Sequence, residues 1–211
     1  MSAVGIDVSE AQGQIDWSKL QVDFVYRRVT NGAQIDRQWA LQPHPLPGER
    51  LYTVGGYLAF YPWASWQDQA NAYADHALDH GELELPPAVD CEVASKVDPV
   101  GYRSMLGDLI ASLEGRLQRR CIIYTRKDWW EKYATPIPKH WPGPLVGRDL
   151  WLARATANLP RDACPSGWLT WAIWQKIYTA MIPGIKGRVD LNEYNGSVAE
   201  MKSWADALRH T

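Results

Sequence analysis

Two acidic residues in the middle of the chain, Asp90 and Glu92, have the types and the spacing of a catalytic pair. They end the apolar segment 85–93, and because side chains alternate along a strand, both carboxyl groups are predicted to lie on one face. Two residues of strand span roughly 6.5 Å, so the groups can share one substrate, and repulsion raises the pKa of one of them. This predicts acid/base chemistry of the glycosidase type, with two solvated acids at a strand end as the alternative.

The acidic pair needs a strand that presents it at an open end of the fold. The same alternation places Ala88 on the acidic face and leaves Val89, Cys91 and Val93 on the opposite face. A strand that is aliphatic on one face and acidic near its carboxyl end is typical of a parallel barrel. The active site of such a barrel lies at the carboxyl ends of its strands.

The rest of the sequence supplies the elements of such a barrel. Strands are predicted at residues 4–8, 23–30, 54–61, 85–93, 120–125, 150–153, 171–175 and 188–192. Helical spacing is found at 65–81, where Ser65 is the N-cap and Gly81 the end, and at 98–117, 128–133 and 197–208. A Pro-rich loop occupies 136–144, and no helix fits 155–170 or 176–187.

These elements define the predicted fold. The chain has 211 residues, fewer than the roughly 250 of a typical barrel. We therefore predict an α/β fold, an irregular TIM-like (β/α) barrel of eight strands with helices missing in its second half. Residues 1–211 are predicted to form a single domain.

Composition excludes several classes of function. A net charge of −2 leaves no basic surface for nucleic acid, and no window has the length and hydropathy of a membrane span. Three cysteines without a C-x-x-C motif and five scattered histidines predict neither a metal site nor another cofactor. The first residues lack a signal-peptide pattern, so we expect synthesis in the cytoplasm, and we expect a monomer.

Aromatic residues suit a carbohydrate ligand. The chain has 12 Trp and 10 Tyr but only 2 Phe, and flat rings with a polar edge stack well on sugars, with core packing as the alternative. Tyr57 or Tyr61, near the end of the third strand, could face the substrate. Asp7, on the first strand, is either a third active-site carboxylate or a cap, and Arg28 either approaches the mouth of the barrel or lies on the surface.

Seven motifs in register resemble those of the glycoside hydrolase family 25 lysozymes, which are muramidases of bacteria and phages. The resemblance runs from about residue 4 to about residue 196 and rests on GIDVS at 5–9, GY with Phe60 at 56–60, PAVDCE at 87–92, IYT at 123–125, LWLA at 150–153, WQ at 174–175 and VDLN at 189–192.

The resemblance implies hydrolysis of the β-1,4 bond between N-acetylmuramic acid and N-acetylglucosamine in peptidoglycan, without a cofactor. It places the family's carboxylates on Asp7, Asp90, Glu92 and Asp190, with Glu92 as the general acid. The residues proposed to contact the glycan are Tyr57, Tyr61, Tyr124, Trp151, Trp174, Gln175 and Arg28. The chain departs from the family at Leu58-Ala59 of the third strand and at Ala155, where an aromatic residue is common.

The close spacing of Asp90 and Glu92 also bears on the mechanism. An inverting enzyme seats its water in a gap of roughly 6.5 to 9.5 Å between its carboxyls, so this spacing favours retention. The 2-acetamido oxygen of the substrate is then the predicted nucleophile, oriented by Asp90. Asp190, from the eighth strand, and Asp7, from the first, are predicted to complete the ring of charge if the barrel closes between those two strands.

Three alternatives remain. A chitinase of family 18 also ends its fourth strand in D-x-E, but it carries a longer acidic run than this chain. A non-catalytic wall-binding module would have little reason to place acids where they repel one another. A cysteine hydrolase would need a histidine partner that the sequence does not locate.

If the protein is a lysozyme of this family, release through phage or prophage lysis is the expected route to the wall, and a tail-associated enzyme fits equally well.

Overall fold

The computed structural model describes residues 1–80, 83–135, 145 and 147–209. Gly81 and the predicted Pro-rich loop at 136–144 lie outside these residues. The helix predicted for 65–81 ends earlier, at His76, so its predicted length is wrong. Among the described residues, no helix has the length and apolar character needed to cross a membrane.

One sheet organises the described part of the chain. Its strands are β1 (Val4–Val8), β2 (Phe24–Asn31), β3 (Gln34–Ile35), β4 (Thr53–Ala59), β5 (Ala88–Asp90), β6 (Ile122–Thr125), β7 (Leu150–Ala153), β8 (Ile173–Ala180) and β9 (Val189–Tyr194). All except β3 form a closed barrel of eight strands, because β1 pairs with both β2 and β9. The predicted eight-stranded α/β barrel is confirmed, and β3 is a short antiparallel addition to β2.

The direction of the last strand differs from the parallel barrel that the sequence suggested. Neighbouring strands are parallel from β1 through β8, whereas β9 is antiparallel to both β8 and β1. Residues 181–188 alone connect β8 to β9, and a parallel return needs a crossover of roughly a dozen residues or more. Asp190 therefore lies near the start of its strand, yet at the end of the barrel where the other strands finish.

Helices cover the first half of the barrel. They are α1 (Arg37–Leu41), α2 (Trp66–His76), α3 (Pro99–Leu117), α4 (Lys127–Tyr133) and α5 (Val198–Ala207). Asp98 caps α3 by accepting hydrogen bonds from the amides of Val100 and Gly101, as its Asp-Pro start predicts. Residues 155–170 and 176–187 contain no helix, which confirms the predicted gap in the second half.

The alternation of side chains divides the core into two parts. Aliphatic residues of the strands face the helices, where Leu106, Leu109, Ile110 and Leu113 of α3 are buried. The barrel interior is instead filled with rings, and the glycines opposite them make room. A Cβ added to Gly5 or Gly55 would lie 2.4 Å from the ring of Phe24 or Tyr26, respectively. These rings form the floor on which the acidic mouth rests.

Candidate active site

The four predicted carboxylates converge on one end of the barrel. Asp7 of β1 is the register partner of Asp190 of β9, so barrel closure brings together two residues that are far apart in sequence. Asp90 is the last residue of β5, and Glu92 follows it just beyond the strand. Asp7, Asp90 and Asp190 are half-buried, whereas Glu92 is exposed at the rim. The structure thus brings together the acids of the first, fourth and eighth barrel strands.

Two buried amide side chains hold the pair Asp7 and Asp190. The amide nitrogen of Gln175 donates to Oδ2 of Asp7 at 2.9 Å and to Oδ2 of Asp190 at 3.2 Å. The amide nitrogen of Asn192 donates to the same Asp7 oxygen at 2.8 Å. Because Gln175 and Asn192 are almost fully buried, these donors are fixed in place before any substrate arrives.

Aromatic groups orient these two amides. The hydroxyl of Tyr124 donates to Oε1 of Gln175 at 2.8 Å, and the indole nitrogen of Trp151 donates to Oδ1 of Asn192 at 2.8 Å. Since each amide oxygen accepts from an aromatic donor, each amide nitrogen is directed at the carboxylates. The ring of Trp151 also packs against Tyr124 at a centroid distance of 5.1 Å. The barrel floor therefore positions the acids through a second layer of hydrogen bonds.

The environment raises the pKa of all four carboxyls. Burial raises the pKa of Asp7 to about 6, although the bonds from Asn192 and Gln175 oppose the shift and the charge of Glu92 adds to it. Burial, with repulsion from Asp7 and Glu92, raises the pKa of Asp190 to about 7. These groups hold protons near neutral pH, as acid/base chemistry requires.

The pKa values of Asp90 and Glu92 are raised as well. The pKa of Asp90 is well above its ordinary value because of burial and of repulsion from Glu92 and Asp7, while Arg28 opposes the shift. Its Oδ1 atom is inaccessible to solvent and has no hydrogen-bond donor among the described residues. The pKa of Glu92 is raised by partial desolvation at the rim, against the opposing charge of Arg126. Asp90 and Glu92 are therefore two neighbouring acids whose environments both favour the protonated form.

These shifts predict how stability depends on pH. The folded pKa values of Asp7 and Asp190 lie above the ordinary 3.8, so the folded protein keeps protons that the unfolded chain releases. The free energy of unfolding should therefore fall as pH rises from about 4 to about 7. Asp190→Asn should flatten this dependence and raise Tm at pH 7.5 by about 2–4 °C. Thermal melts between pH 4 and 8 measure both effects, and a Tm that rises across this range in both proteins would contradict the prediction.

The predicted glycan contacts divide into accessible and buried groups. Tyr57 and Tyr124 are half-buried under the acids, and half-buried Tyr61 donates from its hydroxyl to Oδ1 of Asn31 at 2.8 Å. Arg28 is half-buried and bonds Asp36 at 2.8 Å and Glu10 at 3.2 Å. Its effect on the pKa of Asp90 is consistent with the predicted approach to the mouth. These four side chains are partly accessible, and their contact with the glycan stays a prediction.

Trp151, Trp174 and Gln175 are buried instead. Trp151 is 2% exposed and Trp174 is 7% exposed, so neither ring offers an open face to a sugar. Trp174 donates from its indole nitrogen to the carbonyl of Arg154 at 2.7 Å. For both tryptophans the structure favours the alternative of core packing, and for Gln175 it indicates positioning of acids. Alternation along a strand places a residue inside the barrel, but it does not fix the depth.

Trp151 provides a test of this assignment. Trp151→Ala removes a buried ring and should lower the free energy of unfolding by about 3–5 kcal/mol. Trp151→Phe keeps most of the packing but leaves Oδ1 of Asn192 without its donor, so activity should fall more than stability does. Denaturant unfolding and wall-lysis kinetics on both variants decide this. A stable Trp151→Ala protein that loses only substrate affinity would restore the glycan-contact prediction.

Sequence reasoning missed three residues near the acids: Asn192, Tyr178 and Arg126. The signal for Asn192 was present, because it follows Asp190 by two residues on the same strand face. Tyr178 was missed because β8 continues five residues past the predicted end at residue 175. Arg126 follows β6 directly and influences the pKa of Glu92. No similar spacing rule identifies Arg126.

The described residues offer little support for metal or thiol chemistry. Among them, no group of three or more His, Cys, Asp or Glu side chains has an arrangement suited to a metal ion. Burial raises the pKa of the Cys91 and Cys121 thiols, and partial burial raises that of Cys164. A nucleophilic cysteine requires the opposite shift. The cysteine-hydrolase alternative therefore loses its chemical basis.

Comparisons with known proteins agree with this geometry. A family model described as glycosyl hydrolases family 25 matches residues 6–185. Lysozyme M1 of Streptomyces globisporus is 28% identical over 217 residues, covering 96% of this chain and 71% of that protein. The solved bacterial lysozyme from Streptomyces coelicolor has a TM-score of 0.81 and 26% identity, with 99% of both chains covered. A muramidase from Acremonium alcalophilum has the same fold, with a TM-score of 0.80, 22% identity, and 97% of this chain and 99% of that chain covered.

Proposed function

The chain belongs to glycosyl hydrolases family 25, and from this premise we propose that it hydrolyses the β-1,4 bond between N-acetylmuramic acid and N-acetylglucosamine in bacterial peptidoglycan. It is a glycoside hydrolase of the lysozyme type. The observation that carries the proposal is the convergence of four carboxyls with raised pKa values at one end of the barrel. A pure binding module has no use for such acids, because their repulsion only costs stability.

In the proposed reaction, Glu92 donates its proton to the glycosidic oxygen as the bond from that oxygen to C1 of the muramic acid breaks. Exposure at the rim gives Glu92 access to a leaving sugar, and the upward shift of its pKa favours the protonated form that a general acid needs. The 2-acetamido oxygen of the same muramic acid attacks C1 and forms a cyclic intermediate. Water then opens this intermediate and returns a proton to Glu92, which yields the β-anomer.

Asp90 is proposed to orient the acetamido group. Asp90 is half-buried at the end of β5, two residues before Glu92, and the amide N–H of the substrate would donate to its carboxylate. In the proposed complex, this hydrogen bond stabilises the ionised form of Asp90 against the burial and repulsion that raise its pKa in the free protein. The carboxylate in turn increases the electron density on the amide oxygen and makes it a better nucleophile. The positive charge that develops on the ring is then stabilised by the same carboxylate.

Asp7 and Asp190 are proposed to act as electrostatic and positioning groups. They share the amide of Gln175 and lie on the two strands that close the barrel. Because all four carboxyls repel one another, they share protons and do not carry four charges at once. When Glu92 gives up its proton, its negative charge raises the pKa values of Asp7, Asp90 and Asp190 and favours their protonated forms.

The experiment that tests the function compares substrates. Purified peptidoglycan should lose turbidity with this protein, and chitin should not be cleaved. Borohydride reduction of the products should yield muramitol, because the new reducing end belongs to muramic acid. Glucosaminitol would overturn the proposed bond, chitin cleavage would favour the chitinase alternative, and retention on intact walls without lysis would favour a binding module.

We also propose that the protein acts as a monomer and reaches the wall after phage or prophage lysis. Light scattering coupled to gel filtration tests the first proposal. For the second, expression in a bacterial host should leave cells intact until a membrane lesion is introduced. Lysis without such a lesion would overturn the proposed route.

A further inference from the structure

A groove of about 600 Å³ lies beside the carboxylates and has no role in the reaction described above. Its lining includes Arg126, Lys127, Arg154, Ala155 and Tyr178. These residues follow the carboxyl ends of β6 and β7 or lie on the extended part of β8. The groove therefore lies between the start of α4 and the part of the barrel after β7 that lacks covering helices.

Strand register places this groove next to the general acid. Asp90 of β5 is the partner of Tyr124 of β6, and Glu92 and Arg126 each lie two residues further along. Glu92 and Arg126 are therefore at the same height of the rim. Arg154 follows β7 directly, and its amide donates to the carbonyl of Gln175, the residue that holds Asp7 and Asp190. The groove therefore adjoins the end of the barrel that carries the acids.

Among the described residues, the groove presents one cation, Arg154, that makes no hydrogen bond or salt bridge through its side chain, although its charge contributes to the lowered pKa of Asp162. Arg126 pairs with Asp128 at 3.3 Å, and Lys127 pairs with the carboxylate of Asp162 at 3.4 Å. Glu131, which also lines the groove, accepts from the amide and hydroxyl of Ser166. Arg154 is exposed, and its guanidinium has neither a hydrogen bond nor a salt bridge within the described part of the chain. The groove therefore has a free site for an anionic group.

The shape of the groove suits a chain-like substituent. Ala153 and Ala155 contribute only methyl groups to the lining, which leaves room beside the cation. Tyr178 is 44% exposed and supplies an aromatic surface along one side. A sugar hydroxyl is too small to occupy such a space, and a planar guanidinium matches a carboxylate with two parallel hydrogen bonds.

We propose that this groove binds the peptide stem of muramic acid, with a free carboxylate of the stem at Arg154. This inference rests on the proposed function, because the stem is attached to the lactyl group of the muramic acid whose bond is cleaved. The proposal requires that a sugar seated at Glu92 direct that substituent toward the neighbouring rim of β6 and β7. The groove then makes the protein selective for glycan strands that carry peptides with free carboxylates.

The test uses uncross-linked glycan fragments in three forms: without peptide, with stems that carry free carboxylates, and with stems whose carboxylates are amidated. None of these fragments contains phosphate, and the two forms that carry peptide differ only in the carboxylates of the stem. The form without peptide carries the free lactyl carboxylate of muramic acid instead, so the comparison between the two peptide forms decides the role of the stem carboxylate. The native protein should cleave the free-carboxylate form with a kcat/KM about tenfold above that of the amidated form, mainly through KM. This preference should weaken as salt is raised.

In Arg154→Gln the ratio between the free-carboxylate and amidated forms should fall to about two or less, and Arg154→Lys should recover part of it. Arg116→Gln, which removes an equal charge at the opposite end of the barrel, should keep the native ratio. Equal rates on all three forms, or a ratio unchanged in Arg154→Gln, would overturn the groove assignment and leave the proposed function intact. Failure to cleave any form would overturn the proposed function itself and, with it, this inference.

Discussion

Glu92→Gln should lower kcat/KM on peptidoglycan by roughly 10²- to 10⁴-fold, because an amide cannot deliver the proton that the leaving glycosidic oxygen needs. The substitution keeps the size of the side chain, and Glu92 is exposed, so the fold should be retained. Glycan binding should also remain, since the loss concerns the transition state and not the bound substrate. Release of reducing ends from purified walls, measured beside a thermal melt, quantifies the effect.

A control for this substitution is available on the outer helix. Asp108→Asn removes an exposed acid from α3, far from the mouth, and should leave lysis unchanged. A substrate with a good leaving group, such as an aryl glycoside, needs little protonation and should be cleaved by Glu92→Gln much closer to the native rate. Native-like wall lysis by Glu92→Gln would remove Glu92 from the general-acid role.

Asp90→Asn should lower kcat by about 10²-fold, a smaller reduction than Glu92→Gln should cause in the same assay. The amide retains an oxygen acceptor for the substrate N–H but loses the charge that stabilises the reacting sugar. The native enzyme should release the β-anomer first, because two inversions at C1 restore the original configuration. Time-resolved proton NMR on a short peptidoglycan fragment distinguishes the two anomers before mutarotation mixes them.

The stereochemical result separates two mechanisms. Early appearance of the α-anomer would exclude the substrate-assisted route and leave an inverting reaction by water. In that case, Asp90 or Asp190 would act as the base, and removing the acetamido group from the substrate would have little effect. If the substrate-assisted route operates, a substrate with a free 2-amino group should react far more slowly even though it still binds.

The strand pattern made most of the barrel predictable. A period of two with acids near the carboxyl ends identified β1 and β5, and the lack of helical spacing after residue 155 anticipated the open half. The direction of β9 was missed, because a strand has the same alternation whichever way it runs. The short link at 181–188 contained the information, since it is too short for a parallel crossover.

The four carboxylates of the site could be predicted from the sequence, whereas the side chains that position them could not. Carboxylates near strand ends stand out in a sequence, but amides such as Gln175 and Asn192 resemble ordinary polar residues until the register is known. Trp151 was expected to contact the glycan because strand alternation directs it inward, and its burial depends on how the neighbouring rings fill the interior. Depth inside a barrel results from packing by several strands, so no local pattern encodes it.

Because the first and last barrel strands must pair before the site is complete, recovery of activity measures when folding is complete. Asp7 receives its hydrogen bonds from Gln175 and Asn192, which follow it by 168 and 185 residues. Closing so long a loop has an entropic cost that only the finished barrel offsets. A chain that has formed β2 to β7 correctly but has not joined β1 to β9 would look largely native by circular dichroism and yet cleave nothing. Recovery of lysis after dilution from denaturant should therefore follow the slowest folding phase.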